Sequence, residues 1–477
     1  MEWEIVMGLE VHTELATKTK IFCGCSTEFG GAPNTHVCEI CSGLPGTLPL
    51  LNRRVVEFAV RTGLATNCEI TRKNKFDRKN YFYPDLPKAY QISQLYLPIC
   101  RNGYIEVKGE NGEMKKIGIH EIHMEEDAGK LVHDEFEDCT LVDYNRCGVP
   151  LLEIVSEPDF RSASEVLDYL EKLRAILQFT GVSDCKMQEG SLRADVNLSV
   201  RPKGQAEFGT RTEMKNLNSF RAIERAIQYE ARRQIELLED GEQVVQETRR
   251  WDDNKGISYA MRSKEDAQDY KYFPEPDLPP IEISEETIEH IRDTMPELPE
   301  QKKQRYIAQL GLPEYDTSIL TSDKAYVSLF EETLSLCDSP KDVANWIMGE
   351  VMKLLNDTAT LPENMTLQAK DLAAVINMVK SGKINRGTGK TVLEKVFCEG
   401  VDPEKYVADN NLAQITDLSA LRPVIEEVIA ANEKSVSEYK SGKTQAMGYI
   451  MGQAMRALKG KAPAQEVQKI LHELLDS

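Results

Sequence analysis

The chain has 477 residues, 41% of them hydrophobic and 29% charged, with a formal net charge of -20. This length is too great for one hydrophobic core and predicts two to four domains of a globular protein. The sequence contains no apolar run of about 18 residues, which argues against a transmembrane helix, and its first residues do not resemble a signal peptide. A cytoplasmic protein that does not contact membranes is therefore expected.

The first predicted element is a strand over residues 5–14. Its apolar residues alternate with Glu10, His12 and Glu14, which therefore share the opposite face. Residues 191–200 show the same alternation, with Arg193, Asp195 and Asn197 among the polar positions. Alternation of this kind predicts an antiparallel sheet with one buried face and one open face.

Four cysteines follow the first strand in two close pairs. Cys23 and Cys25 form a CxC pair, and Cys38 and Cys41 form a CxxC pair. Four thiolates on a short loop can surround Zn²⁺ as a closed, structural site, although His36 could replace one of them. The alternative is a set of buried cysteines without a metal. Disulfides are not expected in a chain predicted to be cytoplasmic.

Residues 75–85 interleave basic and aromatic side chains. Lys79 and Tyr81 in this run suit phosphate contact and adenine stacking. The alternative is a surface loop whose aromatic rings belong to the core.

Carboxylates then recur on several predicted strands. Glu125 lies in the acidic run 123–127, and Glu153 and Asp195 follow on later strands. With Glu10 and His12 they form a candidate site for Mg²⁺ or Mn²⁺, ions that usually accompany phosphates. A solvated polar sheet face is the alternative, because periodicity cannot show which strands are neighbours.

Helices are predicted between and after these strands. Residues 162–180 and 219–240 begin at serine caps and end near glycines, and Lys215, Asn216 and Ser219 form a turn where phosphate could bind. The proline-dense segment 272–280 predicts the end of the strand-rich region. The helices predicted beyond it are 285–295, 299–310, 322–336, 339–357, 366–381, 389–397, 418–431, 433–459 and 463–475.

The tail differs from the rest of the chain in charge. Residues 434–461 contain six basic residues against Glu438, a local net charge of +5. Lys443, Arg456 and Lys459 are candidate RNA contacts on this segment. The alternative is a small helical bundle with an ordinary basic face.

Several long motifs resemble the GatB family, the B subunits of aspartyl/glutamyl-tRNA(Asn/Gln) amidotransferases. The motifs occupy residues 8–12, 75–85, 123–129, 152–159, 189–193, 215–220, 246–250 and 272–277. The resemblance implies an α+β fold: a glutamine synthetase-like antiparallel-sheet cradle domain over 1–292, an all-α helical domain over 293–407 and a YqeY-like helical tail that binds tRNA over 408–477.

The resemblance also implies an activity. ATP would phosphorylate the side-chain carboxylate of mischarged Glu-tRNA(Gln) or Asp-tRNA(Asn), and ammonia made by an amidase, the A subunit, would then displace the phosphate. A small C subunit would complete the heterotrimer. Glu10, His12 and Glu125 match the family's metal-site motifs and are the expected catalytic residues, whereas Glu153 and Asp195 are expected from strand geometry. Lys79, Arg193 and Lys215 are the expected phosphate contacts.

Two other functions remain open from the sequence. One is a zinc-containing scaffold that binds tRNA without catalysis of its own. The other is a stand-alone ligase that acts on a free amino acid, although this function leaves the helical tail unexplained.

Overall fold

The computed structural model describes residues 2–109, 111–133, 139–263, 270–414, 418–458, 462 and 464–476. The chain divides into two compact units, Met1–Pro299 and Glu300–Ser477. None of the helices in these ranges combines the length and the apolar character needed to cross a bilayer. The boundaries predicted at residues 292 and 407 remain proposals.

A nine-stranded sheet forms the centre of the first unit, in the order β14-β13-β12-β11-β1-β10-β7-β6-β2. Small sheets β15-β4-β5, β16-β3 and β8-β9 accompany it. The strands are Trp3–Glu14 (β1), Glu69–Ile70 (β2), Lys73–Asn74 (β3), Asp77–Asn80 (β4), Tyr90–Ser93 (β5), Cys100–Lys108 (β6), Met114–Glu126 (β7), Lys130–His133 (β8), Thr140–Asp143 (β9), Pro150–Ser156 (β10), Leu192–Pro202 (β11), Thr212–Lys215 (β12), Glu247–Asp252 (β13), Ile257–Ser263 (β14), Phe273–Pro274 (β15) and Ile281–Glu282 (β16).

Strand β1 lies in the middle of the large sheet, between β10 and β11. Its alternation is confirmed: Met7, Leu9 and Val11 are buried, whereas Glu10 and His12 are partly exposed. The antiparallel prediction holds for every pair in the large sheet except β12 and β13, which run parallel. One face of the sheet is therefore buried, and the other is free to carry polar groups.

Four helices lie in the described residues of the first unit, and three of them pack on the buried side of the sheet. Helix α1 lies on β7, α2 on β6 and α3 on β11. Ser162 and Ser219 cap α2 and α3 as predicted, because each hydroxyl accepts a backbone N–H at the helix start. Helix α1 was not predicted from the sequence. The bounds are Arg53–Ala65 (α1), Ala163–Phe179 (α2), Phe220–Glu239 (α3) and Glu285–Asp293 (α4).

Helices make up the described part of the second unit, with separate hydrophobic clusters over 306–407 and 421–475. Most of the predicted helices are present, although α6 and α12 were missed. A π-helical turn, Ile347–Val351, separates α8 from α9. The helices are Pro299–Leu310 (α5), Glu314–Leu320 (α6), Lys324–Leu336 (α7), Pro340–Trp346 (α8), Met352–Asp357 (α9), Ala369–Lys380 (α10), Arg386–Glu399 (α11), Pro403–Asp409 (α12), Leu418–Ala431 (α13), Glu433–Lys440 (α14), Gln445–Ala457 (α15) and Ala464–Leu475 (α16).

The prediction of a single helix over residues 433–459 is wrong. The structure divides it into α14 and α15 around Gly442, whose φ of +98° is incompatible with a continuing right-handed helix. Gly448 and Gly452 of α15 are not points of close helix packing, since no described atom of another element lies within 4 Å of a Cβ placed at either position.

A buried ion pair holds α3 against β12 and β13 on the helix-covered face of the sheet. Glu230 is fully buried on α3 and accepts hydrogen bonds from Arg233 at 2.7 Å and from Thr212 of β12 at 2.8 Å. Arg249 of β13 lies 3.4 Å from the same carboxylate. Burial opposes the charged carboxylate, but these donors lower the pKa of Glu230 overall.

We expect Glu230→Ala to lower the free energy of unfolding by about 1–3 kcal/mol, because it removes the buried carboxylate to which Thr212, Arg233 and Gln234 donate, whereas Glu247 still contacts both arginines. Urea denaturation measures the change. Glu236→Ala is the matched control, since Glu236 is exposed on the same helix and its loss should cost less than about 0.5 kcal/mol. Equal costs for the two variants would contradict a structural role of the buried pair.

Candidate active site and metal centres

The register of four adjacent strands collects polar side chains in one row across the open face. His12 of β1 lies opposite Glu153 of β10 on one side and Arg193 of β11 on the other. Glu153 in turn lies opposite His123 of β7. Because directly opposed residues on antiparallel strands point to the same face, these side chains meet above the sheet.

The first candidate cation site consists of His12, Glu125 and Glu153. A nitrogen or oxygen atom from each of them lies within 4.8 Å of the others. The Nε2 atom of His12 is 3.5 Å from Glu125 and 3.6 Å from Glu153. Ser93 donates to Glu125 at 3.2 Å. Two carboxylates and one imidazole in this space fit a divalent cation such as Mg²⁺ or Mn²⁺.

The electrostatics of this first group show how closely like charges are crowded. Burial and the charge of Glu153 raise the pKa of Glu125. A ring nitrogen of His123 lies 2.5 Å from Glu153, and although burial opposes the charged imidazole, Glu153 raises the pKa of His123 to about 10. Crowded carboxylates of this kind favour a nearby positive charge, which a bound cation would supply.

A second group, Glu10, Asp195 and Glu213, lies beside the first on β1, β11 and β12. Asn197 donates to Glu10 at 2.9 Å. Lys215 lies 2.6 Å from Asp195 and 2.9 Å from Glu213. Burial and Glu153 raise the pKa of Glu10, so this acidic group also favours a nearby cation.

Arg193 and Lys79 place further positive charge at this face. Arg193 contacts Asp127 at 2.8 Å, and its Nε atom is buried without a hydrogen-bond partner among the described residues. Burial opposes the charge on Lys79, but Glu125 and Glu153 raise its pKa overall. An unpaired buried N–H and a strongly held ammonium are groups that an anion could contact.

The six predicted nucleotide contacts occupy two regions of the face. Lys79 lies toward Glu125, 6.0 Å from the ring of Tyr81, whereas Lys215 lies by the second acidic group. Ser219 caps α3, and Asn216 donates to the backbone of Trp251 at 2.9 Å. The last two residues therefore have structural contacts in addition to any role in binding.

The sequence reasoning missed His123 and Glu213 as site residues. Both lie two positions from residues that were selected, Glu125 and Lys215, so the same alternation could have identified them. Glu157, a further acid just beyond the end of β10, lies apart from both groups and contacts the exposed His120 at 2.9 Å.

The four cysteines also meet. Sγ of Cys41 lies 3.9 Å from that of Cys38 and 4.0 Å from that of Cys25, and Cys23 completes the group. A tetrahedral zinc with Zn–S bonds of about 2.3 Å requires sulfur separations of about 3.8 Å. Lys20, fully buried, lies with its ammonium 3.5 Å from Sγ of Cys41, which offsets negative charge on the thiolates. The cluster therefore fits zinc, and all eleven cysteines are free of disulfides.

Two of the three predicted RNA contacts lie on exposed parts of the tail. Lys443 precedes α15 and Arg456 lies near its end, and both side chains are exposed. Lys459 lies outside the described residues. The pair is compatible with contact to a phosphate backbone.

Comparison with known proteins gives consistent matches over the chain. A family model described as the GatB/GatE catalytic domain matches residues 5–289, and one described as a GatB domain matches residues 328–475. Three relatives are named as B subunits of aspartyl/glutamyl-tRNA(Asn/Gln) amidotransferase. They are 61% identical in Lachnoclostridium phytofermentans (99% of each chain covered), 60% in Caldicellulosiruptor bescii and 55% in Thermoanaerobacter sp. (100% of each chain covered in both).

We expect the purified chain to contain one zinc per molecule, because four thiols converge at the separations that zinc needs. Cys41→Ser should reduce the zinc content, measured by inductively coupled plasma mass spectrometry, to near zero. Cys398→Ser is the control, since this exposed cysteine lies outside the cluster. Zinc retained in the Cys41 variant would show that the metal is bound elsewhere.

Proposed function

The chain belongs to the GatB family of tRNA-dependent amidotransferase B subunits, and on this premise we propose that its open sheet face carries out the ATP-dependent step. In this proposal, ATP phosphorylates the side-chain carboxylate of a mischarged Glu-tRNA(Gln) or Asp-tRNA(Asn). Ammonia then displaces the phosphate and forms the amide. Phosphorylation is required because an ionised carboxylate does not react with ammonia directly.

The observation that carries this proposal is the pair of acidic groups on adjacent strands. Glu10 and His12 are two residues apart on β1, about 7 Å along the strand, and each belongs to a different group. His12, Glu125 and Glu153 would hold one divalent cation, and Glu10 and Asp195 with Glu213 would hold a second. Such cations, when bound, neutralise the charge that develops on the phosphoryl oxygens.

The cationic side chains of the site have complementary roles in the proposal. Lys215 of β12 contacts the phosphates of ATP next to the second acidic group, and Arg193 of β11 contacts them from the row that contains His12. Lys79 lies on the opposite side, beside Glu125, where it contacts the substrate carboxylate or the transferred phosphoryl group. These contacts position the two reactants, and positioning is a main contribution of the protein to phosphoryl transfer.

The proposed reaction needs partners. The relatives are named as B subunits, and the name of their enzyme includes tRNA(Asn/Gln). We propose that an amidase, the A subunit, produces the ammonia, that a small C subunit completes a heterotrimer, and that the tail around Lys443 and Arg456 binds tRNA. Zinc at the four cysteines has a structural role, since all four of its ligand positions are taken by thiolates.

The central prediction concerns the two acidic groups. In the assembled complex, with ammonium chloride in place of glutamine, we expect His12→Ala or Glu10→Ala to slow ATP-dependent amide formation at least about 100-fold. Each variant removes a group that stabilises charge in the transition state. The measurement is the rate of Gln-tRNA(Gln) or Asn-tRNA(Asn) formation, with tRNA binding measured in parallel.

Glu113→Gln is the control for these variants, because Glu113 is exposed at the turn between β6 and β7 and should leave the rate unchanged. Loss of amide formation with retained tRNA binding supports chemistry on this chain. Unchanged turnover in both active-site variants would instead make the chain a zinc-containing tRNA scaffold. Activity on free glutamate or aspartate without tRNA would indicate the stand-alone ligase.

A further prediction concerns the tail. If Lys443 and Arg456 contact tRNA phosphates, replacing either with alanine should reduce the salt dependence of tRNA binding, log Kd against log salt, by about 0.7–0.9 per residue. Fluorescence anisotropy over a salt series measures this slope. Lys443→Arg and Arg456→Lys preserve the charge and should leave it unchanged. A slope that stays constant in the alanine variants would contradict phosphate contact by this surface.

A further inference from the structure

Six aromatic residues gather at one edge of the open face of the first unit. Tyr81, Phe82 and Tyr83 follow β4, and Tyr270, Tyr272 and Phe273 lie in and before β15; we call them the aromatic lip. Its outer side chains are unusually exposed, with 85% of Phe82, 55% of Tyr83 and 42% of Phe273 accessible to solvent. Exposed aromatic rings at this density mark a binding surface.

The lip is held in a defined arrangement. The backbone N–H of Asn80 donates to the carbonyl of Tyr270 at 2.9 Å, which joins its two segments. Four of the six rings then contact one another edge to face in a chain. Centroids are 6.3 Å apart for Tyr81 and Tyr83, 5.9 Å for Tyr81 and Tyr270, and 6.1 Å for Tyr270 and Tyr272. Rings fixed in this way lose little conformational entropy when a ligand stacks on them.

The inner end of the lip reaches the first acidic group. The ammonium of Lys79 lies 5.0 Å from the ring centroid of Tyr270, and its charge is held by Glu125 and Glu153. Burial, together with those two carboxylates, raises the pKa of Tyr272 to about 12. The lip thus runs from the reacting groups to exposed rings at the protein surface.

We propose that the aromatic lip is the stacking surface for the unpaired 3′-terminal bases of the charged tRNA, with Phe82 and Tyr83 as the main contacts. The inference rests on the proposed function. The carboxylate to be phosphorylated belongs to an amino acid esterified to the last ribose of that single strand, so the terminal bases must lie next to the acidic groups. Single-stranded bases are bound by stacking on aromatic side chains because every base offers a π face.

The adenine of ATP is the other ligand with the right chemistry, and the geometry disfavours it. Lys215, the cation assigned to the triphosphate beside the second acidic group, lies on β12, whereas the lip lies toward Glu125 of β7. β12 is three strand positions from β10 and four from β7, a separation of about 14–19 Å. Two substrates entering from opposite sides would meet at the acidic groups between them.

The test compares Michaelis constants in the assembled complex. Phe82→Ala and Tyr83→Ala should each raise KM for charged tRNA about tenfold, while kcat and KM for ATP stay within about twofold. Tyr83→Trp keeps a stacking ring and should retain the wild-type KM. Phe208→Ala is the matched control: this ring is 60% exposed in the same unit but stacks under Arg201, toward the far end of β11 from Arg193.

A rise in KM for ATP would overturn the proposal and make the lip a nucleotide site. Unchanged KM values, or an equal effect in Phe208→Ala, would also overturn it. A second measurement, which does not depend on catalysis, is the fluorescence anisotropy of an RNA minihelix that carries a non-hydrolysable aminoacyl amide. Two minihelices are compared, one intact and one with an abasic ribose in place of the nucleotide before the last. The wild-type protein should bind the abasic RNA about tenfold more weakly than the intact RNA, whereas the double variant Phe82→Ala/Tyr83→Ala should bind the two RNAs almost equally.

The two measurements separate this proposal from the proposed function. If the wild-type complex forms no amide, the assigned reaction fails, yet the minihelix experiment still reports whether the lip binds the RNA terminus. If amide formation proceeds but the ring variants bind the intact and abasic RNAs as wild type does, the lip proposal alone fails.

Discussion

Repulsion among like charges is the constraint on which the organisation of this protein depends. Five carboxylates in two groups share one face of a sheet with two histidines. Such a cluster costs free energy unless cations balance it, and Lys79, Arg193 and Lys215 reach the face from three different strands. In the proposed function, the same charges provide the cation ligands and phosphate contacts of phosphoryl transfer.

The hydrophobic side of the sheet makes this arrangement possible. Helices α1, α2 and α3 pack against the other face, so each strand directs its apolar residues one way and its functional residues the other. A shift in register of one residue would exchange the two faces of β1 and bury Glu10 and His12. The long pairing of β1 with β11, from Trp3 to Thr13, fixes that register along nearly the whole strand.

The other features with a proposed role in binding or structural support lie on elements outside the large sheet. The cysteine cluster joins the two ends of the loop that follows β1, and the buried Lys20 offsets the negative charge of its thiolates. The aromatic lip joins residues about 190 positions apart through β4 and β15. The exposed basic residues of the tail lie in the second unit, on a small hydrophobic cluster of their own. In the proposed function, phosphoryl transfer belongs to the open sheet face, zinc binding to the loop after β1, and contact with the tRNA backbone to the tail.

The sequence by itself determined what depends on local periodicity and spacing. The alternation of β1 and β11, the serine caps of α2 and α3, the paired cysteines and the family motifs all follow from neighbouring residues. Tertiary structure decided which strands are neighbours, because pairing depends on packing between distant segments. It therefore divided the predicted acids into two groups, added His123 and Glu213, and separated Lys79 from Lys215. It also broke the last long helix at Gly442, where backbone conformation overrides side-chain periodicity.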